Sequence, residues 1–261
     1  MAGLELDGQE ACDITNAADV ERAVLRVRPD YVIHLAGISF VAFGNAEDYY
    51  RVHVIGTLNL LNALDKLKIP PAKVILASSA NVYGTPAVEV LHESLCPEPI
   101  SHYGSSKLAM EHMSRGLFNR IPIIITRPFN YTGPGQAGRF LVPKIVQHFK
   151  DKAPFIELGN LHVSRDYSDV DDVVAAYIGL LQGDARSEVV NVCSGRSIAL
   201  LEILNLMKEI TGHDIEVRVN PAFVRNNEVP RLVGDPSKLR RMVTLTPPRP
   251  FRDTLQRMVE S

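Results

Sequence analysis

The sequence lacks several features that would assign it to a class of protein at once. It has no uninterrupted apolar run of about 18 residues, so we expect no membrane-spanning helix. It has no excess of either charge, since 28 Lys and Arg residues oppose 30 Asp and Glu residues, which argues against nucleic acid as the main partner. Its three cysteines are too scattered for a disulfide framework or a metal site. The N-terminus lacks the basic start and apolar stretch of a signal peptide, so we expect a cytoplasmic protein.

What the sequence does contain is an alternation of short β-branched runs and longer helical patterns. Strands are predicted at 31–35, 73–77 and 123–126, with helices at 46–67 and 101–119 between them. This order is typical of an α/β fold in which helices cover both faces of a parallel sheet. Further helices are predicted at 138–150, 170–182 and 198–211, with short strands near 188–192 and 215–219. We expect residues 1–130, with parts of 155–195, to form the sheet domain and the remaining segments of 131–261 to form a smaller lobe.

Three side chains near the ends of the predicted strands suit acid–base chemistry at a C–O centre. Tyr103 and Lys107 lie one helical turn apart, and Ser79 follows the second predicted strand. A phenol with a pKa of about 10 is a poor acid at neutral pH, but a fixed ammonium group beside it lowers that pKa. A serine hydroxyl can share the hydrogen bond to the substrate oxygen. We therefore predict the catalytic set Ser79, Tyr103 and Lys107; the alternative is a surface helix on which the tyrosine and lysine merely fall one turn apart.

Other motifs give these side chains a family context. They are His34-Leu35-Ala36-Gly37, Gly56-Thr57, Ser79 with Tyr83-Gly84, Tyr103 with Lys107, Arg127-Pro128-Phe129-Asn130, and the run from Ser164 to Val173. Together and in this order they resemble the extended short-chain dehydrogenase/reductases, the NAD-dependent epimerase/dehydratase family that acts on nucleotide sugars. The resemblance implies a Rossmann-like, doubly wound parallel sheet, NADP or NAD as cofactor, and a homodimer formed through the helices at 46–67 and 101–119.

The resemblance also implies roles for residues outside the catalytic set. The implied cofactor-binding residues are Asp13, Ile14, Leu35, Ala36, Gly37, Tyr103, Lys107, Pro128 and Phe129. The implied substrate-binding residues are Ser79, Asn130, Arg139, Lys144, Arg165, Arg225 and Glu228. No metal is implied. For Asp13, the residues alone also allow a helix cap, because a helical stretch follows it.

Two local features favour the members of this family that reduce GDP-4-keto-6-deoxyhexoses. The string from Arg225 to Val229 resembles the segment with which GDP-sugar enzymes hold the nucleotide, because a guanidinium group suits diphosphate and the Glu228 carboxylate suits a ribose diol. A solvated charged loop is the alternative. Ala80 and Asn81 stand where sugar dehydratases of the family carry an acid, so dehydration is not expected. The implied product is a GDP-6-deoxyhexose such as GDP-D-rhamnose; a nucleotide-sugar 4-epimerase is the alternative.

Two departures from the family pattern bear on activity. No Gly-x-x-Gly-x-x-Gly turn precedes the strand at 31–35, although that turn binds the cofactor pyrophosphate in the family. We therefore expect either a truncated enzyme that binds dinucleotide weakly or a nucleotide-sugar-binding protein without turnover. His53 stands three residues before Gly56, where the family usually has asparagine, and we expect this exchange to tune function rather than abolish it.

Overall fold

The structure is a computed structural model that describes residues 3–4, 12–39, 45–224 and 230–261. In these ranges the strands are β1 (Gly3–Leu4), β2 (Cys12–Asp13), β3 (Tyr31–His34), β4 (Lys73–Ala77), β5 (Val90–Leu91), β6 (Ile123–Pro128), β7 (Asn130–Thr132), β8 (Phe155–Leu158), β9 (Ser164–Asp169), β10 (Glu188–Val192), β11 (Ser197–Ala199), β12 (Glu216–Val219) and β13 (Arg231–Gly234). The α-helices are α1 (Ala17–Val27), α2 (Ala46–Tyr50), α3 (Thr57–Asp65), α4 (His102–Arg115), α5 (Leu141–Lys150), α6 (Val170–Gln182), α7 (Leu200–Thr211), α8 (Ser237–Met242) and α9 (Phe251–Glu260). Among the described residues, no helix has the length and apolar composition needed to cross a membrane.

The chain divides into two compact units, of which the first comprises Met1–Pro86, Glu93–Pro128 and Tyr177–Asn191. Its sheet has the strand order β10-β6-β4-β3, and β3, β4 and β6 run parallel. The middle strands are buried on both faces, as a parallel sheet requires, and Leu76 and Ile125 lie side by side in the register. One face packs against a core cluster that includes residues of α1, α3 and α4. The predicted parallel α/β sheet is therefore confirmed.

Two helices of this unit differ from the prediction, one at its N-terminal cap and one in its continuity. The side chain of Asn16 caps α1 by accepting hydrogen bonds from the backbone N–H groups of Ala18 and Asp19. Asp13 instead accepts from the backbone and hydroxyl of Thr15, so its reading as the helix cap is wrong. The single helix predicted at 46–67 is interrupted by a π-helical turn, Arg51–Gly56, which joins α2 to α3. π-helical turns are rare in proteins, and many of those that occur lie at functional sites.

The second unit comprises Ala87–His92, Phe129–Ala176 and Val192–Ser261. Its main sheet has the order β11-β9-β13-β5, with β7 paired to β9, and a separate parallel pair joins β8 to β12. Helices α5, α7 and α9 supply most of its core; the residues buried most deeply there include Ile145, Phe149, Ile203, Met207 and Leu255. Strands β7 and β9 were not predicted, because their many polar residues do not alternate with apolar ones, and the short strand β13 was not predicted either.

A buried carboxylate fastens the C-terminal segment of the second unit. Asp169, at the end of β9, accepts a 2.7 Å hydrogen bond from the Thr254 hydroxyl. It also forms ion pairs with Arg249 at 3.3 Å and Arg257 at 3.2 Å. The Asp169 side chain is fully buried, so these partners, rather than water, neutralise its charge. Helix α9 is thereby tied to β9.

Candidate active site

Helix α4 presents Tyr103 and Lys107 on successive turns, as predicted. The Ser101 hydroxyl caps this helix by accepting from the Gly104 backbone N–H at 3.1 Å. Gly104 permits an unusually close approach to the segment after β4, since a Cβ at this position would lie 2.7 Å from the Asn81 carbonyl oxygen. The first turn of α4 therefore packs directly against the residues that follow Ser79.

The Lys107 ammonium group is held at the carboxyl end of β4. Its Nζ donates a 2.8 Å hydrogen bond to the carbonyl of Ala77, the last residue of that strand. The side chain is buried, and burial lowers the pKa of Lys107 to about 8, against the opposing effect of the Glu111 carboxylate. A lysine with this pKa is still mostly charged at neutral pH. Lys107 lies one helical turn from Tyr103, and its acceptor Ala77 precedes Ser79 by two residues.

Ser79 is positioned by the turn that it begins. A 3-10 turn, Ala80–Tyr83, follows directly, and the Ser79 oxygen accepts from the backbone N–H of Asn81 at 3.2 Å and from its side-chain amide at 3.3 Å. Among the described residues, the Ser79 hydroxyl donates to none. Its hydrogen is therefore available to a substrate oxygen.

A buried ion pair that the sequence analysis did not identify lies beneath these groups. Arg127 donates from Nε and Nη2 to the two carboxylate oxygens of Glu111 at 2.9 and 2.7 Å. The Ser78 hydroxyl donates to the same carboxylate at 2.6 Å, and the guanidinium carbon lies 4.8 Å from the centre of the Tyr83 ring. Glu111 lies one helical turn beyond Lys107, and this spacing is the sequence signal that could have identified it. Its charge raises the pKa of Lys107.

His53 joins the turn after β3 to helix α4. Its Nε2 accepts from the Ile38 backbone N–H at 3.0 Å, and its Nδ1 lies 2.8 Å from the Ser106 hydroxyl. Ser106 in turn donates to the carbonyl of Tyr103 at 2.8 Å. Burial, and next the nearby charge of Lys107, lowers the pKa of His53 to about 3, so the ring is neutral.

The other histidine of this region, His34, belongs to the same network. Its Nε2 lies 2.9 Å from the Thr57 hydroxyl, which donates to the carbonyl of His53 at 2.6 Å. Because the single Thr57 hydrogen is used there, His34 donates to Thr57. Its Nδ1 is buried and has no hydrogen-bond partner within the described part of the chain. Only one of the two ring nitrogens of His34 is therefore hydrogen-bonded within this part of the chain.

The turn predicted to meet the cofactor approaches Lys107 closely. A Cβ on Gly37 would lie 3.2 Å from His53 Nε2 and 3.4 Å from Lys107 Nζ, so a side chain here would fill the space beside the ammonium group. Leu35 is 64 % exposed, and Ala36 and Gly37 are half-buried. An open turn next to a fixed cation leaves room for the implied dinucleotide. Cofactor contacts by these residues stay a prediction.

Asp13 and Ile14, for which the resemblance also implies contact with the cofactor, differ in accessibility. Asp13 is exposed, whereas Ile14 is buried in the core. A Cβ on Gly56 would come within 2.9 Å of the Ile14 side chain, and the Ile14 carbonyl accepts from the Asn59 amide at 3.0 Å. Of these two residues only Asp13 is exposed, and the cofactor role of both stays a prediction.

The other two predicted cofactor residues, Pro128 and Phe129, follow one another at the division between the units. Pro128 ends β6 and is buried. The Phe129 backbone N–H donates to the Val192 carbonyl at 2.9 Å. Its buried ring lies against Gly234, where a Cβ would come within 2.6 Å of it. The Phe129 ring thus has a packing role in the second unit, and its contact with nicotinamide stays a prediction.

The second unit brings two of the predicted substrate residues onto neighbouring strands. Asn130 in β7 donates to the backbone carbonyl of Asp166 in β9 at 3.4 Å. Arg165 precedes Asp166 and donates to the backbone carbonyl of Ser164 at 2.8 Å. Both side chains are partly exposed. An amide and a guanidinium group on neighbouring strands suit the hydroxyl and phosphate oxygens of a sugar nucleotide.

The remaining substrate residues lie elsewhere in this unit. Lys144 in α5 donates to the Glu157 carbonyl at 2.8 Å and lies 4.7 Å from the centre of the Phe223 ring. Arg139 is exposed before α5, with its guanidinium carbon 5.3 Å from the centre of the Phe140 ring. Lys144 therefore lies beside the segment that leads to the predicted nucleotide-binding string.

Arg225 and Glu228 lie outside the described residues, so their predicted roles are untested by the geometry. The described chain ends before them at Val224 and resumes at Pro230.

Comparison with known proteins gives this geometry a context. Residues 9–258 match the family model described as GDP-mannose 4,6 dehydratase. The GDP-6-deoxy-D-talose 4-dehydrogenase of Aggregatibacter actinomycetemcomitans is 38% identical over 231 residues, which are 88% of this chain and 79% of the relative. The GDP-6-deoxy-D-mannose reductase of Pseudomonas aeruginosa is 36% identical over 222 residues, which are 81% of this chain and 73% of the relative.

Solved structures show the same fold. The structure of RMD from Pseudomonas aeruginosa complexed with NADPH matches with a TM-score of 0.89 and 30% identity, over 98% of this chain and 88% of that one. The UDP-glucuronic acid 4-epimerase of Bacillus cereus, in complex with UDP-glucuronic acid and NAD, matches with a TM-score of 0.84 and 25% identity, over 95% of this chain and 79% of that one. The predicted Rossmann-like α/β fold class is confirmed, and these neighbours hold NADPH or NAD.

Proposed function

Because the chain belongs to the GDP-mannose 4,6-dehydratase family of nucleotide-sugar enzymes, as its motifs predict, we propose that it reduces a GDP-4-keto-6-deoxyhexose to a GDP-6-deoxyhexose with NADP or NAD as cofactor. Two relatives support this reaction. One is named as a 4-dehydrogenase of GDP-6-deoxy-D-talose and the other as a reductase of GDP-6-deoxy-D-mannose. Oxidation and reduction at one carbon are two directions of the same chemistry.

The observation that carries the proposal is the fixed ammonium group beside the predicted proton donor. Lys107 is buried, is hydrogen-bonded to Ala77, and lies one helical turn from Tyr103. A charged lysine there favours the phenolate and so lowers the pKa of Tyr103 towards the working pH. Ser79, whose oxygen already accepts two hydrogen bonds, can donate its own hydrogen to the C4 carbonyl oxygen.

The proton chemistry of the reduction falls to these three residues. The reduced nicotinamide, when bound, supplies the hydride to C4. Ser79 orients the C4 carbonyl by hydrogen bonding to its oxygen. Tyr103 gives its proton to that oxygen as it becomes an alcohol, and the Lys107 ammonium stabilises the phenolate left behind. Asn130 and Arg165, with Arg139, Lys144, Arg225 and Glu228, are proposed to hold the sugar nucleotide.

Dehydration of the sugar is disfavoured by the residues that follow Ser79. Ala80 is buried and apolar, and the Asn81 amide donates to Ser79. Neither side chain can act as the acid or base that removal of water requires. Reduction or epimerisation at C4 therefore fits these positions better than the reaction after which the family model is named.

A 4-epimerase is the second candidate, because the Bacillus cereus neighbour is a 4-epimerase. The two candidates differ in cofactor use. A reductase consumes NADPH or NADH in proportion to product, whereas an epimerase interconverts sugars with no net consumption. The sugars in the names of the two relatives also differ, since 6-deoxytalose and 6-deoxymannose have opposite configurations at C4.

The test is incubation with GDP-4-keto-6-deoxymannose and NADPH or NADH, followed by NMR of the product. We expect loss of the reduced-nicotinamide absorbance and formation of a GDP-6-deoxyhexose. Tyr103→Phe is expected to lower kcat by at least about 100-fold. The matched control Tyr31→Phe, at an exposed tyrosine, should leave kcat unchanged. Stabilisation by the GDP-sugar with no turnover would instead indicate a binding protein, and near-normal turnover by Tyr103→Phe would refute the mechanism.

Two further properties of the proposed enzyme stay predictions. A homodimer formed through the helices at 46–67 and 101–119 is checked by light scattering coupled to size exclusion. A cytoplasmic location is checked by fractionation of the source cells.

A further inference from the structure

The hydrogen bonds of His53 have only one consistent set of directions. Its Nε2 must accept, because the Ile38 backbone N–H points at it from 3.0 Å. The neutral ring therefore carries its hydrogen on Nδ1 and donates to Ser106 at 2.8 Å. The Ser106 hydroxyl donates its hydrogen to the Tyr103 carbonyl, so towards His53 the Ser106 oxygen is free to accept. A single buried ring thus connects the turn after β3 to the backbone of the proton donor.

The His53 ring also contacts the Tyr103 side chain. The two ring centres are 5.6 Å apart, and the rings meet edge to face at 83°. Tyr49 meets the Tyr103 ring in the same way, at 6.0 Å and 82°. Tyr49 lies in α2 and His53 in the π-helical turn that follows. The interrupted helix therefore fixes the direction in which the phenol points.

The other side of the His53 ring faces the predicted cofactor turn. Ile38 follows Gly37, and a Cβ on Gly37 would lie 3.2 Å from His53 Nε2 and 3.4 Å from Lys107 Nζ. The hydrogen bond to Ile38 therefore holds this turn next to the ammonium group. His53 can therefore set the distance between the cofactor turn and Tyr103 without contacting the cofactor or the sugar nucleotide.

We propose that His53 is a positioning residue that aligns Tyr103 with the turn at 35–38. Its Nδ1 holds the helix that carries Tyr103, and its Nε2 holds the turn. The proposal rests on the proposed function, since it assigns the turn to the nicotinamide and Tyr103 to proton transfer. The Nδ1 side acts through Ser106 on the phenol, and the Nε2 side acts through Ile38 on cofactor binding. These two roles are separable by substitution.

Two amide variants separate the two sides of the ring. His53→Asn places an amide nitrogen near the position of Nδ1, which keeps the donor to Ser106 but removes the acceptor for Ile38. We expect the KM for NADPH to rise about fivefold with little change in kcat, which corresponds to the loss of about 1 kcal/mol, the usual contribution of one hydrogen bond. His53→Gln places an amide oxygen near the position of Nε2 and removes the donor to Ser106. We expect kcat to fall about tenfold with an unchanged KM for NADPH.

Two further variants complete the set. Ser106→Ala should lower kcat as much as His53→Gln does. The double variant His53→Gln with Ser106→Ala should lower kcat no further, because both changes break the same hydrogen-bonded connection from His53 through Ser106 to Tyr103. His53→Leu should show both the KM and the kcat effect. The proposal would be overturned if His53→Asn and His53→Gln changed kcat and the KM for NADPH alike, in proportion to their loss of thermal stability. That result would show a purely structural role for His53.

A readout independent of turnover separates this proposal from the proposed function. The phenol pKa of Tyr103 is measured by ultraviolet difference titration against Tyr103→Phe. We expect His53→Gln to raise that pKa, since the ring is released from its place beside Lys107, and His53→Asn to leave it unchanged. If the wild-type protein reduces no GDP-4-keto sugar, the proposed function fails, while the titration still decides the role of His53. An unchanged phenol pKa in His53→Gln would overturn the proposal even in an active enzyme.

Discussion

The ion pair between Glu111 and Arg127 gives a prediction whose magnitude follows from burial. The two side chains are 0% and 1% exposed, and the shorter of their two hydrogen bonds is 2.7 Å. Glu111→Gln keeps the shape of the side chain but removes its charge. The Arg127 guanidinium, whose pKa is already raised by this carboxylate, cannot lose its proton in response and is left as an uncompensated buried cation.

Removal of one partner from a buried ion pair costs about 3–5 kcal/mol in the free energy of unfolding. The exposed pair of Lys66 and Glu21 is a matched control, because its 2.8 Å separation is nearly the same while its side chains are 58% and 39% exposed. Glu21→Gln is expected to cost no more than about 1 kcal/mol. The double variant Glu111→Leu with Arg127→Met should recover much of the loss, since it leaves no charge unpaired.

Denaturation in urea, followed by circular dichroism, measures these differences. Equal losses in Glu111→Gln and Glu21→Gln would refute the argument that burial decides the energy. Activity supplies a second measurement, because the Glu111 charge raises the pKa of Lys107. In Glu111→Gln the Lys107 pKa falls below its present value of about 8, so the ammonium is lost earlier as pH rises. The alkaline limb of the rate profile should then move to lower pH.

Three further predictions concern stability. Gly84→Ala should lower the unfolding temperature sharply, because φ is 66° and a Cβ would lie 1.9 Å from the Glu98 carbonyl oxygen; an unchanged temperature in calorimetry would contradict this. Burial lowers the pKa of His34 from 6.5 to about 4, so the unfolded chain binds more protons between these values. The contribution of His34 to stability should therefore be retained above about pH 6.5 and fall by up to about 3 kcal/mol towards pH 4. His34→Gln should reduce the slope in urea titrations by this amount and leave the slope that His53 contributes, since the pKa of His53 is also lowered, to about 3. Asp169→Asn should free helix α9 and speed its cleavage in limited proteolysis, whereas Asp214→Asn, at an exposed ion pair, should cleave at the wild-type rate.

Much of the first unit could be predicted from the sequence. Strands β3, β4 and β6 are runs of β-branched and other apolar residues, and helix α4 has a serine cap before it. Local patterns of this kind reflect burial on one or both faces, which the order of residues already specifies. Strand β9 was missed, because its residues from Ser164 to Asp169 are polar and are buried through pairing rather than through apolar character.

By itself the sequence determined the parallel α/β sheet, the family, and the one-turn spacing of Tyr103 and Lys107. Only the tertiary structure decided how the polar groups pair. The partners of His53 lie 15 and 53 residues away along the chain, and the partner of Glu111 lies 16 residues away in a different element. The physical reason is that a helical or strand pattern depends on neighbours in sequence, whereas a buried hydrogen bond depends on which elements meet when the core closes.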